Sequence, residues 1–260
     1  MLVYPQLGTG AITQFPVQKR RRLRTVVNAA ADGTFVKLAD PNGEYTEWGL
    51  QYSLLSDGEM SSLEQFFAAA EGTLNGFTFL DPTSNLLAWS DHLDNAVWVA
   101  GPSLAVAGGM ADPMGSANAW QVTNPGGGAQ SIVQTISAPA GYVYCLSAYV
   151  RSASAASVTM LLGSQRQASP AMGTWSRIVF AATGDPQAET VSFGLELPAG
   201  VTVEVYGMQA EPQGGASVYK ASTTGGVYEN ARLRDDVLNA TAMGVNQHSC
   251  TVNIFYAKHL

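Results

Sequence analysis

The stretch Trp48–Pro82, WGLQYSLLSDGEMSSLEQFFAAAEGTLNGFTFLDP, reads as strand, helix and strand in succession, each with its own start and stop signals. Trp48, Leu50, Tyr52 and Leu54 alternate with smaller or polar residues, the period of a half-buried strand. Ser56 stands three residues before Glu59. Its hydroxyl is placed to accept the Glu59 amide while the carboxylate returns to the Ser56 amide, a capping box with Leu55 and Met60 as its hydrophobic staple. Met60, Leu63, Phe66, Phe67 and Ala70 then recur at helical spacing and form one apolar stripe, and Gly72 is placed to end the helix in the left-handed conformation. Phe77 and Phe79 open a new strand, stopped by Asp81-Pro82.

On the N-terminal side, PVQKRRRLRTVVN (16–28) packs Lys19, Arg20, Arg21, Arg22 and Arg24, five of the chain's 13 basic residues, into six positions. Leu23, Val26 and Val27 follow, Asp32-Gly33 supplies a hairpin turn, and Phe35, Val36 and Leu38 begin a return strand. The basic run therefore sits on a strand. It fits a solvent- or neighbour-facing strand edge, a subunit-contact or channel-lining patch carried by Arg20, Arg22 and Arg24, or a nucleic-acid patch; the strand pattern weighs against the last. DPNGEY (40–45) is turn chemistry ahead of the strand at Trp48.

On the C-terminal side the character changes. Residues 85–221 hold 12 charged side chains, against 21 in the other 123 residues, and show no helical pattern. Short apolar runs (AWQVT, AQSIVQTI, YVYCLSAYV, SVTMLL, WSRIVFAA, TVSFGLEL and VTVEVYGMQAE) are divided by Gly/Pro/Ser turns, which predicts an antiparallel sandwich of the jelly-roll kind. From Ser222 charge returns, and SCTVNIFYA gives a last strand with Cys250, Val252, Ile254 and Tyr256 on one face. A lone strand is unstable, so it is expected to return to the first sheet. The expected organisation is a mainly β chain: a hub domain of barrel or sandwich type with one helix (1–84), an inserted jelly-roll β-sandwich (85–221) and a segment completing the hub (222–260).

The net charge of −7 argues against general affinity for nucleic acid. Cys145 and Cys250 lie in strand-like runs and read as small buried hydrophobes rather than a disulfide pair. With three histidines (His92, His248, His259) and no Cys/His cluster, no transition-metal site is expected, and no motif calls for a cofactor. Neither a signal peptide nor a membrane span is expected, so export by the standard secretory route is not either.

No nucleophile elbow, catalytic triad or phosphate-binding glycine loop is present, and no enzyme is expected. Asp91/Asp94 and Asp235/Asp236 are acid pairs, but sequence spacing cannot show the facing geometry a glycosidase needs. The Asp and Asn residues at 91–95 and 112 suit either a structural calcium ion or turn capping, and capping is the simpler role. Among Trp89, Trp98, Trp120, Tyr142, Tyr144, Tyr149 and Trp175, the candidates for stacking on a sugar are Trp120 and Tyr149; Trp98 and Trp175 read as packing.

The run from Phe15 to Pro82 resembles the distal tail, or minor tail hub, proteins of long-tailed bacteriophages in its W-x-L-x-Y strand, the D-x-E before a helix bearing Phe66-Phe67, the Gly72 stop and the F-x-F-x-DP exit. The segment opening NLLAWSDHLDNAVW and closing GMQAEPQGGASVYKAST is similar to the carbohydrate-binding-module-like jelly rolls of phage tail and adhesion proteins. A hub bearing such an insert resembles what are called evolved distal tail proteins. The resemblance implies a virion tail protein, assembled in the host bacterial cytoplasm as a homo-oligomeric, six-fold ring between tail tube and tail tip proteins, with a peripheral domain for host-surface polysaccharide. Two other classes stay open: a free-standing carbohydrate-binding adhesin, which leaves the helix and basic strand without a role, and a tail-associated glycan hydrolase.

Overall fold

The computed structural model describes residues 1–258, so His259 lies outside the described residues. The first elements are β1 (Val17–Ala29), β2 (Phe35–Leu55), α1 (Asp57–Ala70) and β3 (Phe77–Leu80). Next come β4 (Val99–Ala100), β5 (Ala105–Met110), β6 (Ala119–Thr123), β7 (Gln130–Ile136), β8 (Val143–Arg151) and β9 (Ala156–Leu162). They are followed by β10 (Gln165–Ala171), β11 (Ser176–Thr183), β12 (Val191–Leu197) and β13 (Thr202–Glu211). The chain closes with β14 (Val227–Leu233), β15 (Ala240–Gly244) and β16 (Gln247–Ala257). The protein is mainly β, in two compact units: unit 1 is Met1–Leu7, Thr13–Phe79 and Tyr228–Leu260, and unit 2 is Gly8–Ile12 and Leu80–Val227.

Unit 1 is a six-stranded sheet in the order β1-β2-β16-β14-β3, with β15 paired to β16. The last strand joins the first sheet: Ile254 lies opposite Trp48, Val252 opposite Leu50 and Cys250 opposite Tyr52. All six are buried, and Met60, Leu63 and Phe66 of α1 are buried with them. Each such apolar side chain contributes roughly 1.5–3 kcal/mol on burial. Trp48 meets the rings of Phe79 and Tyr228 at 5.0 and 4.7 Å, and Tyr4 meets Phe66 edge-on at 5.0 Å. The Tyr4 and Tyr52 hydroxyls satisfy each other inside this core at 2.8 Å. The capping box is formed: Glu59 N–H donates to Ser56 Oγ, and Ser56 N–H to Glu59 Oε2.

Three local expectations are corrected. Leu54 is not on the buried face: it takes φ +56° and is 67% exposed, while Leu55 is 1% exposed. One extra residue in β2 between Tyr52 and Leu55, against Cys250 and His248 of β16, makes a bulge that flips the alternation. The left-handed end of α1 begins one residue early, since Glu71 (φ +51°) adopts it as well as Gly72 (φ +62°). A Cβ on Gly72 would sit 2.5 Å from Asp236 Oδ1, and the same carboxylate oxygen accepts the Thr73 amide at 2.8 Å. DPNGEY does not separate two strands. It bulges within one 21-residue strand, where register slips between Arg22 opposite Tyr45 and Arg24 opposite Asp40.

Unit 2 is a jelly-roll β-sandwich of two five-stranded antiparallel sheets, β10-β9-β12-β7-β4 and β11-β8-β13-β6-β5. The sheets meet through side chains such as Tyr144 and Phe193, 5.4 Å apart edge to face. Buried Asn85 is a clamp: its amide donates to the Met208 carbonyl at 2.8 Å and its oxygen accepts the Ala210 and Leu87 amides. The edge strand β10, QRQASPA, lacks an apolar run and had no sequence signal; Pro170 is tolerated there because an edge needs fewer ladder donors.

Both cysteines are buried and free, and burial pushes each thiol up to about 11. Because the thiolate is the reactive form, the native protein should resist a thiol-reactive dye at pH 8 and release two thiols on unfolding; fast labelling of the native chain contradicts this burial. Ser56→Ala should lower stability by about 1 kcal/mol in urea unfolding.

Candidate functional site

The outward face of the β11-β8-β13 layer in unit 2 brings together charged and aromatic side chains. Register places Tyr149 of β8 between Arg177 of β11 and Tyr206 of β13, and Arg151 opposite Glu204. One end of this face is closed. Cys145, Ser147, Gln209 and Glu211 are buried, and the chain after β13 is tied over them: the Ser217 amide donates to Glu211, the Lys220 amide to Gln209 Oε1, and Arg177 to the Ser217 carbonyl at 2.6 Å. The other end is open, with Tyr149, Arg151, Trp175, Arg177 and Glu204 half-buried.

Arginines order this open end. The Arg151 guanidinium lies 4.8 Å from the Trp175 ring centre and donates to Glu204 at 2.8 Å; Arg177 lies 5.5 Å from the Tyr149 ring. Trp175 Nε1 and Arg177 Nε are buried donors with no acceptor among the described residues. The arrangement is a shallow surface of aromatic rings and guanidinium groups. Trp175, read from sequence as packing, belongs to it.

The two sequence candidates do not act together. Trp120 of β6 lies opposite Val205, while Tyr149 lies opposite the next residue, Tyr206, and successive residues of a strand point to opposite faces. Trp120 anchors a loop, its indole N–H donating to the Asp91 carbonyl at 2.7 Å, and its ring leaves room only for glycine at Gly108, where a Cβ would lie 2.9 Å away. Tyr142 and Tyr144 stack 6.5 Å apart, with Tyr144 fully buried; Trp98 is buried and donates to the Trp89 carbonyl at 3.0 Å.

Asp112 is surrounded by donors rather than vacant oxygens. Its carboxylate accepts the amides of Met114, Ser116 and Asn118; burial opposes its ionisation, but those amides outweigh it and hold the carboxyl below its ordinary value. That geometry suits a capped anion and not a cation site. Asp91 accepts the Tyr219 hydroxyl, and Asp94 lies 3.8 Å from His92.

In unit 1 the basic strand β1 is exposed along nearly its whole length. Arg24 Nε donates to Asp40 at 2.6 Å, and this hydrogen bond is the main cause holding the Asp40 carboxyl below its ordinary value. Arg22 donates to the Tyr45 hydroxyl at 2.6 Å and Arg20 to Gln18 Oε1 at 3.2 Å. Arg20 and Arg22 thus have no carboxylate partner among the described residues, and Arg24 has one.

No protein family and no curated relative matches the chain. Among solved structures it is similar to the enzymatically active domain of tailspike protein 4 of bacteriophage CBA120, at 13% identity and TM-score 0.39, over 51% of this chain but only 22% of that one. It is also similar to the CBM22-1 xylan-binding domain of Paenibacillus barcinonensis Xyn10C, at 14% identity and TM-score 0.41, over 51% of this chain and 96% of that one. A third is the C-terminal family 22 carbohydrate binding module of Clostridium thermocellum Xyn10B, at 12% identity and TM-score 0.42, over 54% and 99%.

Trp120 and Tyr149 are both half-buried, but Trp120 ties down the Asp91 loop and fills the space over Gly108 while Tyr149 flanks the open patch, so their substitutions should separate. Trp120→Ala should cost about 2–4 kcal/mol of stability in urea unfolding, and Tyr149→Ala under about 1 kcal/mol; equal costs would contradict the opposite-face assignment.

Proposed function

We propose that the chain is a structural protein of the bacteriophage distal-tail kind that it resembles, assembling through unit 1 into a multi-copy ring in the virion tail, with unit 2 offering its open face to host-surface polysaccharide. The observation that carries this reading is the β1/β2 hairpin. Beyond Arg22 it is a two-stranded arm on which Leu23, Val26, Val27, Phe35, Val36 and Leu38 are all exposed, Phe35 at 68% and Leu23 at 69%. An isolated hairpin is marginal in water, and six exposed apolar side chains on one are a surface for a partner.

The magnitudes agree with that role. These side chains are on average about half exposed, so covering all six gains roughly 5–10 kcal/mol on the scale of about 1.5–3 kcal/mol for each full burial. Association costs about 4–15 kcal/mol, so the arm's apolar contact is of the right order to hold a complex with help from polar pairs. A free-standing adhesin has no use for this arm. For unit 2, weak single sites suffice, since copies held on one ring multiply avidity by orders of magnitude.

Mass photometry of the full chain, beside a variant in which Thr25–Ala39 is replaced by a two-residue Asn-Gly turn, tests the assembling role. The wild type should form a closed oligomer, six copies by the resemblance, and the shortened chain should stay monomeric with an unchanged thermal transition. A wild type that remains monomeric at tens of micromolar favours the adhesin. On a glycan array the assembled protein should bind polysaccharide, with single-site affinity on the order of millimolar to high micromolar, and Tyr149→Ala should abolish it; absence of binding to any glycan or host cell leaves unit 2 as a spacer.

A further inference from the structure

The outward face of the unit 1 sheet carries an acidic groove as well as the basic arm. Gln51 and Ser53 of β2 and Thr251 and Asn253 of β16 form the floor, and Phe15 and the 235–241 segment form walls around about 860 Å³. Neither carboxylate of that wall has a cation at ion-pair distance among the described residues. Asp235 accepts the Asn253 side-chain amide at 3.1 Å, and Asp236 the backbone amide of Thr73 at 2.8 Å together with the Thr73 hydroxyl.

The arm has the opposite imbalance. Val17–Leu38 holds six of the 13 basic residues and one of the 20 acidic ones. Arg21 and Arg24 are neutralised within the chain by Glu44 and Asp40. Arg20 and Arg22 have no such carboxylate partner among the described residues; the ladder sets them opposite Glu47 and Tyr45.

We propose that the basic stem of one copy, at Arg20 and Arg22, lies in the acidic groove of the next copy, against Asp235. This rests on the assembling role above and names its partner surface. Stem and groove are different patches of one unit, so the contact is heterologous and repeats around a ring instead of closing a two-fold dimer. Matched charge across such a contact guides docking and rejects wrong registers.

The test uses two full-length variants: the stem variant Arg20→Glu/Arg22→Glu and the groove variant Asp235→Arg/Asn239→Arg, all four positions exposed and Asp236 left in place. Each alone should raise the concentration at half-assembly by roughly tenfold or more, with unchanged circular dichroism. An equimolar mixture should assemble again, because each reversed stem then meets a reversed groove, and only into even-numbered rings. If the wild type assembles and both variants assemble equally well, or if the mixture fails while each variant is folded, the stem–groove pairing is overturned and the assembling role stands. A wild type that is monomeric throughout overturns both. If a variant loses its native circular dichroism, the single changes Arg20→Glu and Asp235→Arg replace it, with the same outcomes read.

Discussion

The antiparallel pairing of β2 with β16 is the interaction on which unit 1 depends. It brings Trp48, Leu50 and Tyr52 beside Ile254, Val252 and Cys250, segments roughly two hundred residues apart in sequence. Closing so long a loop costs little more than closing a short one, since the entropic cost grows only with the logarithm of length. A separately folded stretch between the two strands therefore need not weaken the sheet. Without β16, the β1/β2 hairpin and α1 would lack the second row of apolar residues that buries their own.

The same pairing gives the sheet two unlike faces. One is covered by α1 and the rings of Tyr4, Phe77 and Phe79; the other shows Gln51, Ser53, Thr251 and Asn253 to the outside. The uncovered side, the open ladder of edge strand β1 and the apolar arm lie on one unit, where unsatisfied surface accumulates. In unit 2 the outward face is treated differently: Glu211, Gln209 and Arg177 bind the following chain segment over one end and leave the other as a shallow patch. The two units thus present different chemistry, apolar and charged in one, aromatic and hydrogen-bonding in the other.

Much of this was legible in the sequence because it is local. The Ser56–Glu59 box, the stripe of Met60, Leu63 and Phe66, and the alternation within β6, β8 and β13 are read from neighbours a few residues apart. The misreadings that bear on the candidate surfaces are matters of register or partner. Leu54 fits the alternation, but one bulged residue opposite Ser249 hands its place to Leu55. Trp120 and Tyr149 look equivalent until cross-strand pairing sets them on opposite faces, and Arg24 looks like Arg20 until Asp40, 16 residues on, takes its charge. Trp175 joined the open patch only through Arg151, from another strand. The groove by Asp235 was invisible for the same reason, since it is assembled from β2, β16 and the 235–241 segment, which meet only in the fold.

The most direct measurement is hydrogen–deuterium exchange on the full chain at concentrations above and below its assembly midpoint. The outer edge of β1 has no ladder partner among the described residues, so its amides, with those at the tip of the arm, should exchange quickly in the monomer. If the arm is the assembling surface, amides of residues 17–38 should become protected on assembly together with those of 235–241 and 249–253, while the β8 and β13 amides of unit 2 stay as they were. Protection that appears only in unit 2, or an arm whose exchange is the same in ring and monomer, would contradict the account.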